Sequence, residues 1–168
     1  MILFDSSTLI LLAKIGLLRD LTAQVDIGTT PQIEEECVRG ETTDAKLIEQ
    51  LIKEKKISVL KVERDEKRKA ESWHQGFNIG AEVYPLELAR NRGHLFATDD
   101  KAAIKACKVF GVEFTTAIDF LIRAYERGEL DQELALEKLT QLEKYGRYGN
   151  SIIEYAKGKL GGEANEDN

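Results

Sequence analysis

Short apolar runs alternate along this chain with longer segments whose apolar residues recur at helical spacing. Five runs are too short and too uniformly apolar for surface helices, and they fall at residues 2–4, 25–27, 57–62, 94–97 and 112–114. Helical segments lie between them, at residues 8–21, 32–39, 44–56, 66–73, 81–92, 101–110 and 117–127. Strands that alternate with helices in this way predict an α/β fold with a mainly parallel central sheet covered by helices.

Two further helical segments follow the last predicted strand, at residues 132–145 and 151–160. We expect these C-terminal helices to cap the domain or to meet a partner. A chain of 168 residues buries roughly 70% of its unfolded surface, which is enough for one core. We therefore predict a single domain over residues 1–160, followed by a flexible acidic tail at 161–168 with the sequence GGEANEDN.

The charge of the chain limits the classes of function. Asp and Glu total 30 against 24 Lys and Arg, which gives a net charge of −6. Such a chain repels nucleic acid at long range, which argues against a simple nucleic-acid coat protein. An enzyme that acts on a phosphodiester is still compatible with this charge, because carboxylates that bind a metal ion count as negative until the ion is bound.

Basic side chains are dense in residues 63–69, which contain Arg64, Lys67, Arg68 and Lys69. One interpretation of this run is a solvated helix face on which acidic and basic residues pair. The other interpretation is a ridge that contacts a phosphate backbone.

The cysteines and the first residues indicate the compartment. Cys37 and Cys107 lie in apolar segments, and the chain opens with MILFD, which lacks the basic region and longer apolar stretch of a secretory signal. Both features predict a cytoplasmic protein. The most apolar stretch, residues 8–18, contains Lys14 and Gly16 and is shorter than the about 20 residues that span a bilayer. We therefore expect no membrane segment and no membrane partner.

Acidic residues end two of the predicted strands. Asp5 follows the run at 2–4, and Asp99 and Asp100 follow the run at 94–97. Parallel sheets bind ligands beyond the carboxyl ends of their strands, so these positions are candidates for a site. Asp5 and Asp100 are also suited to cap the helices that follow them. Two acids about 4 Å apart at a protein surface repel each other by about 4 kcal/mol, which a divalent cation would offset.

Two helix residues are placed to join these acids. Glu36 lies in the helix after the second strand, and Ile33 and Cys37 form an apolar pair one helical turn apart around it. We expect Glu36 to lie beside the buried face of this helix and Glu34 to point more outward. Glu82 lies near the start of its helix, where a carboxylate also stabilises the helix end.

The candidate ligands are all oxygens. Carboxylates without a cluster of Cys and His favour Mg²⁺ or Mn²⁺ over structural zinc. His74 and His94 are isolated in the sequence, and neither forms a recognisable catalytic group with a Ser or Cys. The chain also lacks a GxGxxG motif and a P-loop, which gives little support to a nucleotide cofactor. We therefore predict Mg²⁺ or Mn²⁺ as the cofactor.

Four segments follow one another in a recognisable order: FDSSTLILLAKIGLL, TTPQIEEECVRG, GAEVYPLELARNRGHLFATDDKAAIKACKVFGVEF and TTAIDFLIRAYERGEL. Together they resemble the successive motifs of the PIN-domain family, in particular its VapC-like branch of toxin ribonucleases. They cover most of residues 1–130, and the later stretch EKYGRYGNSIIEYAKGKL is similar to the end of that branch. The resemblance implies a three-layer α/β/α fold and a ribonuclease that depends on Mg²⁺ or Mn²⁺.

The same resemblance implies which residues form the site. The acidic quartet of the family, which is both catalytic and metal-binding, falls on Asp5, Glu36, Glu82 and Asp100.

Other positions extend this assignment. Asp99 and Asp119 are further candidate ligands, and Ser6 and Thr116 are candidates to hydrogen-bond a carboxylate or a phosphate. The chain departs from the family pattern at Tyr84, where a second Glu is usual.

The resemblance also implies partners: an RNA substrate, a small antitoxin protein that covers the acidic groove, and a second copy of the chain in a homodimer. Two other functions stay open. One is a non-catalytic PIN-like module that binds RNA or a protein, which the acidic net charge and the altered helix around Tyr84 favour. The other is a receiver-type phosphoryl-transfer protein, although the sequence offers no convincing pair of Asp and Lys at strand ends to support it.

Overall fold

The structure is a computed structural model that describes residues 1–162. Its strands are Ile2–Phe4 (β1), Ile27–Thr29 (β2), Ile57–Val59 (β3), Leu95–Ala97 (β4) and Phe114–Thr115 (β5). They form one sheet in the order β3-β2-β1-β4-β5, and every neighbouring pair is parallel. The predicted α/β fold with a mainly parallel central sheet is confirmed.

Seven helices belong to the same part of the chain as the sheet. They are Ser6–Lys14 (α1), Leu18–Thr22 (α2), Pro31–Val38 (α3), Thr43–Lys53 (α4), Arg64–Phe77 (α5), Val83–Arg92 (α6) and Lys101–Phe110 (α7). One group of contacting helices is α1, α3 and α4, and a second group is α5, α6 and α7. With the sheet, these two groups make up the three-layer α/β/α architecture. None of the helices in residues 1–162 has both the length and the apolar character that crossing a bilayer requires.

Alternate residues of the central strand face the two helical layers. Leu3 pairs with Phe96 in the strand register, and both pack in a buried cluster with residues of α5, α6 and α7 such as Trp73 and Leu86. Successive strand residues point to opposite faces, so the fully buried Phe4 faces the other layer. Burial on both faces explains why this strand consists of apolar residues only.

The sequence predicted these elements with uneven accuracy. The bounds of β1 and α7 are as predicted, whereas the single helix predicted over residues 8–21 is wrong. This segment forms two helices, because Gly16 adopts a left-handed φ of +72° between them. The strand predicted at residues 25–27 instead spans Ile27–Thr29. Its last two residues, Gly28 and Thr29, are buried but not strongly apolar, so the apolar pattern did not include them.

A second compact unit begins at Thr116, after a first unit of Met1–Thr115. Its helices in the described part of the chain are Ala117–Glu126 (α8), Gln132–Tyr145 (α9) and Asn150–Lys159 (α10). α9 contacts both α8 and α10. The single domain over residues 1–160 stays a prediction, and positions 163–168 of the predicted tail lie outside the described residues.

The basic run at residues 63–69 consists of the N-cap residue of α5 and the first turns of that helix. Arg64, Lys67, Arg68 and Lys69 are all exposed, and Arg68 pairs with Asp65 at 3.2 Å. This arrangement is typical of a solvated helix face, so contact with a phosphate backbone stays a prediction for this run.

An ion pair between a buried glutamate and an exposed arginine ties the start of α5 to the end of α6. Glu66 is 7% exposed and accepts hydrogen bonds from Arg92 Nη2 at 2.7 Å and Arg92 Nε at 2.9 Å. Asn91 Nδ2 also donates to Glu66, at 3.0 Å. The hydrogen bonds from Arg92 lower the pKa of Glu66 to about 2, although burial acts in the opposite direction. This pair therefore contributes to stability in its ionised form.

We predict that Glu66→Gln lowers the free energy of unfolding by about 2 kcal/mol at neutral pH, because the variant leaves Arg92 without its buried anionic acceptor. The pKa of Glu66 is lower in the folded than in the unfolded chain, so its contribution is complete above about pH 5 and is lost as the pH falls toward about 2. In urea unfolding, the difference in free energy of unfolding between the wild type and the variant should therefore decrease as the pH falls from about 5 to about 3.

The control for this prediction is Asp65→Asn, which removes an exposed pair on the same helix and should cost less than about 0.5 kcal/mol. A deficit of Glu66→Gln that stays constant over the acidic range would contradict the prediction.

Candidate active site

Residues that directly follow three neighbouring strands lie side by side at the carboxyl end of the sheet. Phe4 pairs with Ala97 in the register, and the Asp5 N–H donates to the Ala97 carbonyl at 3.1 Å. Asp5 is therefore the neighbour of Thr98 after β4, and Thr30 follows β2 on the other side. This is the edge at which the sequence predicted a site.

The Asp5 carboxylate is fully buried and accepts hydrogen bonds at both oxygens. Its Oδ1 accepts from the Thr8 N–H at 3.0 Å and from Ser7 Oγ at 2.8 Å. Its Oδ2 accepts from Thr98 Oγ1 at 2.5 Å. The bond to Thr8 caps α1, as predicted for this position. The bond to Thr98, which follows a different strand, goes beyond what a helix cap requires.

No basic group in residues 1–162 compensates for the burial of Asp5. Its hydrogen-bond donors are a backbone amide and two hydroxyls, and no described Lys, Arg or His pairs with it. Burial is the main reason that the pKa of Asp5 rises to about 7, and the charge of Asp99 adds to this rise, although the hydrogen bonds act against it. A carboxylate in this environment is costly to ionise unless a cation neutralises it.

Thr98 links the two strand-end acids, a role that the sequence analysis missed. Its hydroxyl donates to Asp5 and accepts from the Asp100 N–H at 3.2 Å, and the side chain is fully buried. Asp100 itself caps α7, because its Oδ1 accepts from the Ala103 N–H at 2.7 Å. A signal was present in the sequence, since a Thr between a buried strand and two Asp offers a hydroxyl to the neighbouring strand end.

Asp99 joins the same network through the first turn of α1. Its Oδ2 accepts from Thr8 Oγ1 at 2.6 Å, and its N–H donates to Ser7 Oγ at 3.1 Å. Ser7 thus accepts from Asp99 and donates to Asp5. The hydroxyls of Ser7 and Thr8 therefore hold two acids near each other.

Glu36 reaches this region through Ser6, whose Oγ donates to Glu36 Oε2 at 2.8 Å. The predicted hydrogen bond from Ser6 to a carboxylate is therefore present. The expected difference in burial is wrong, because Glu34 is half-buried and Glu36 is exposed. Ile33 and Cys37 define the buried face of α3, and around the helix axis each of the two glutamates lies about 80° from the centre of that face. Helical spacing alone therefore could not predict which glutamate is more buried.

Glu82 lies at the start of α6, where it is the capping residue but makes no side-chain cap hydrogen bond. Its side chain is half-buried and folds back toward Gly80, where an added Cβ would lie 3.1 Å from Glu82 Oε2. Burial raises the pKa of Glu82, and the charges of Asp100 and Glu36 raise it further. Glu82 thus lies within electrostatic reach of both Asp100 and Glu36.

Thr116 and Asp119 lie in the second unit and bind each other. Asp119 Oδ2 accepts from the Thr116 N–H at 2.9 Å and from Thr116 Oγ1 at 3.1 Å. In return, Thr116 Oγ1 accepts from the Asp119 N–H at 3.4 Å, which completes a capping box at the start of α8. The roles of Asp119 as a ligand and of Thr116 toward a substrate phosphate stay predictions.

The donor atoms around Asp5 are of the kind that binds a hard divalent cation. They are carboxylate and hydroxyl oxygens, and Thr30 adds a fully buried hydroxyl without a hydrogen-bond partner among the described residues. The thiols of Cys37 and Cys107 are not competing ligands, because burial raises the pKa of each to about 12.

The predicted acids nevertheless do not form a complete set of metal ligands in the described part of the chain. Within residues 1–162, no three acidic, His or Cys side chains already converge as ligands of a single ion. Hydroxyl groups link Asp5 to Asp99 and to Asp100, whereas Glu82 interacts with Asp100 and Glu36 through charge alone. The donor chemistry fits Mg²⁺ or Mn²⁺, and the long side chains of the two glutamates have the freedom to complete a shared site.

Comparison with known families agrees with this geometry. A protein-family model described as a PIN domain matches residues 1–157, which include the sheet and all four predicted acids. No curated protein matches the sequence. The match is to the family as a whole, and the VapC-like branch stays a prediction.

We predict that Asp5→Asn stabilises the metal-free protein at alkaline pH by at least about 1 kcal/mol. The folded-state pKa of Asp5 is raised from 3.8 to about 7, so the stability of the wild type falls as the pH rises through this interval. In urea unfolding with EDTA, the variant should have a higher free energy of unfolding than the wild type at about pH 8, and the difference should disappear near about pH 4. An advantage of equal size at both pH values would refute this explanation.

Thr98→Val should lower the free energy of unfolding by about 1–2 kcal/mol, because it removes the hydroxyl that serves both Asp5 and the Asp100 N–H in a buried position. Thr98→Ser keeps the hydroxyl and is the control. Thermal unfolding of the two variants measures the difference, and equal melting temperatures would show that the link between the two acids does not stabilise the fold.

Proposed function

The chain belongs to the PIN-domain family, whose members are usually metal-dependent nucleases, and from this premise we propose that it is an endoribonuclease. It uses Mg²⁺ or Mn²⁺ to hydrolyse RNA phosphodiester bonds. The proposed site is the carboxyl end of the sheet, with Asp5, Glu36, Glu82 and Asp100 as its catalytic acids.

One observation carries the proposal: Asp5 is a fully buried carboxylate at the end of the central strand, and no described basic side chain neutralises it. A helix cap alone does not explain such burial, because capping carboxylates work at the protein surface. A site that binds a cation does explain it. Strongly perturbed carboxylates of this type cluster at functional sites.

In the proposed mechanism, Asp5 and Asp100 are the central ligands, and Thr98 positions them relative to each other. A divalent cation held by these residues would lower the pKa of the attacking water and neutralise charge on the phosphate. Glu36 and Glu82 complete the ligand set or orient the water, and Ser6 holds Glu36 for this role. Attack of the water on phosphorus forms a new P–O bond and breaks the bond to a ribose oxygen. The water gives its proton to Glu36 or Glu82, and the leaving oxygen takes a proton from solvent.

The proposal extends to the branch and the partners of the protein. The order of its four motifs supports a VapC-like toxin or a relative, which acts in the cytoplasm. On this proposal a small antitoxin protein covers the acidic groove, and two copies of the chain form a homodimer. Copurification of the chain with the product of a neighbouring short gene, and light scattering of the purified protein, test these two partners separately.

A second candidate is a PIN-like module that binds RNA or a protein without cleaving it. Tyr84 favours this alternative, because it stands where the family has a second Glu and its hydroxyl donates to Glu71 at 3.4 Å. The absence of a converged ligand group among the described residues also favours it. Binding of RNA without cleavage under any metal condition would select this candidate.

We predict that the wild-type protein cleaves single-stranded RNA in Mn²⁺ and not in EDTA. Asp5→Asn and Asp100→Asn should each lower the cleavage rate at least about 100-fold, because each removes a negative ligand charge from the site. Gel analysis of a fluorescently labelled RNA measures the rates. Asp65→Asn, which changes an exposed acid on α5, is the matched control and should keep the wild-type rate.

Circular dichroism of each variant shows whether the fold is intact. Cleavage at the wild-type rate by folded Asp5→Asn would disprove the assignment of the site. Equal losses in Asp5→Asn and in the Asp65→Asn control would disprove it as well, since the effect would then not depend on the site.

A further inference from the structure

A cavity lined by polar and basic residues lies between the end of α5 and the first turns of α7. Its volume is about 590 Å³, which lies in the range of small-ligand sites. His74, Gln75 and Asn78 line one side, and Lys101 and Lys105 line the other. We call it the α5–α7 cavity. It begins one residue beyond Asp100, since Lys101 directly follows that acid in the chain.

The two lysines of this cavity have no charge partner among the described residues. Both are exposed, and neither forms an ion pair or a side-chain hydrogen bond with another described residue. They lie four residues apart on α7, so their charges are on the same face and repel each other. Lys101 is also the first residue of α7, where the helix dipole disfavours a positive charge. Two neighbouring positive charges without a partner make this wall of the cavity attractive to an anion.

The opposite wall is suited to receive a nucleotide. His74 Nδ1 contacts the Ile79 carbonyl at 2.6 Å, which fixes the orientation of the ring. Phe77 is half-buried in the lining and packs against Phe110 with ring centroids 5.4 Å apart. The described lining contains no acidic residue, although the chain as a whole carries a net charge of −6. The cavity therefore combines a local positive charge with aromatic and amide groups, as sites for single-stranded nucleic acid do.

We propose that the α5–α7 cavity binds a backbone phosphate of the RNA substrate beside the bond that is cut. The proposal rests on the proposed ribonuclease function and adds how an acidic protein retains its substrate. Lys101 and Lys105 attract the phosphate, and the rings of His74 and Phe77 offer faces to the adjacent base. Because phosphate contacts position a strand without reading its bases, this cavity supports binding and register rather than sequence preference.

Binding of a short fluorescein-labelled single-stranded RNA in EDTA tests the proposal without requiring cleavage. The double variant Lys101→Gln/Lys105→Gln should bind about tenfold more weakly at low salt. The slope of log affinity against log salt should fall in magnitude by about 0.7, because the contact to one phosphate is lost. In the Mn²⁺ cleavage assay, KM should rise by a similar factor and kcat should change less than about twofold.

Two further variants separate the site from general charge effects. Lys46→Gln/Lys108→Gln removes the same charge from exposed positions outside the cavity and should bind RNA nearly as the wild type does. Lys101→Arg/Lys105→Arg keeps the positive charges and should also retain the affinity.

The possible failures are distinguishable. Equal affinities and salt slopes for the cavity variant and the lysine control would overturn the cavity proposal, even where cleavage by the wild type upholds the ribonuclease. Unchanged RNA binding together with lost binding of an acidic peptide would assign the cavity to a protein partner and also overturn it. A wild type that neither binds nor cleaves RNA would instead overturn the proposed function, and the inference with it.

Discussion

The buried carboxylate of Asp5 is the constraint around which the candidate site is organised. It ends the central strand, caps α1 through the Thr8 N–H and accepts from Thr98 after the neighbouring strand. Each of these contacts fixes a different element, so one side chain determines how β1, β4 and α1 meet. The hydroxyls around it lower the cost of its burial but bring no positive charge, which leaves the site in need of a cation.

The acidic and basic side chains lie in different places, which the net charge of −6 does not show. Acids gather at the carboxyl end of the sheet, where burial and mutual repulsion raise the pKa of Asp5 and of Glu82. Lys101 is the first residue of the helix that Asp100 caps. It also lines the α5–α7 cavity, and none of the described residues that line this cavity is acidic. A polyanion that approaches this region thus meets repulsion and attraction within a short distance, and a divalent ion changes the balance between them.

Sequence reasoning predicted the architecture and the strand-end acids because these depend on local patterns. Asp5 and Asp100 follow apolar runs and precede helices, and both cap those helices in the structure. The position of Thr98 between a buried strand and two Asp indicated a hydroxyl at the strand end, but the acid that it binds depends on the strand order and register, which local patterns do not give. Helical spacing likewise could not rank Glu34 against Glu36, since both flank the buried face of α3. The assignment of all four acids to one metal site remains a prediction.

The strand order has a consequence for how the chain reaches its native state. Asp5 and Thr98 bind each other across 93 positions of sequence, because β1 pairs directly with β4. During synthesis β1 leaves the ribosome long before its partner exists, so the middle of the sheet must wait for a large loop to close. A truncated or nascent chain that ends before β4 consequently has no means of enclosing its acids. Whatever chemistry the protein performs is withheld until most of the polypeptide has been made.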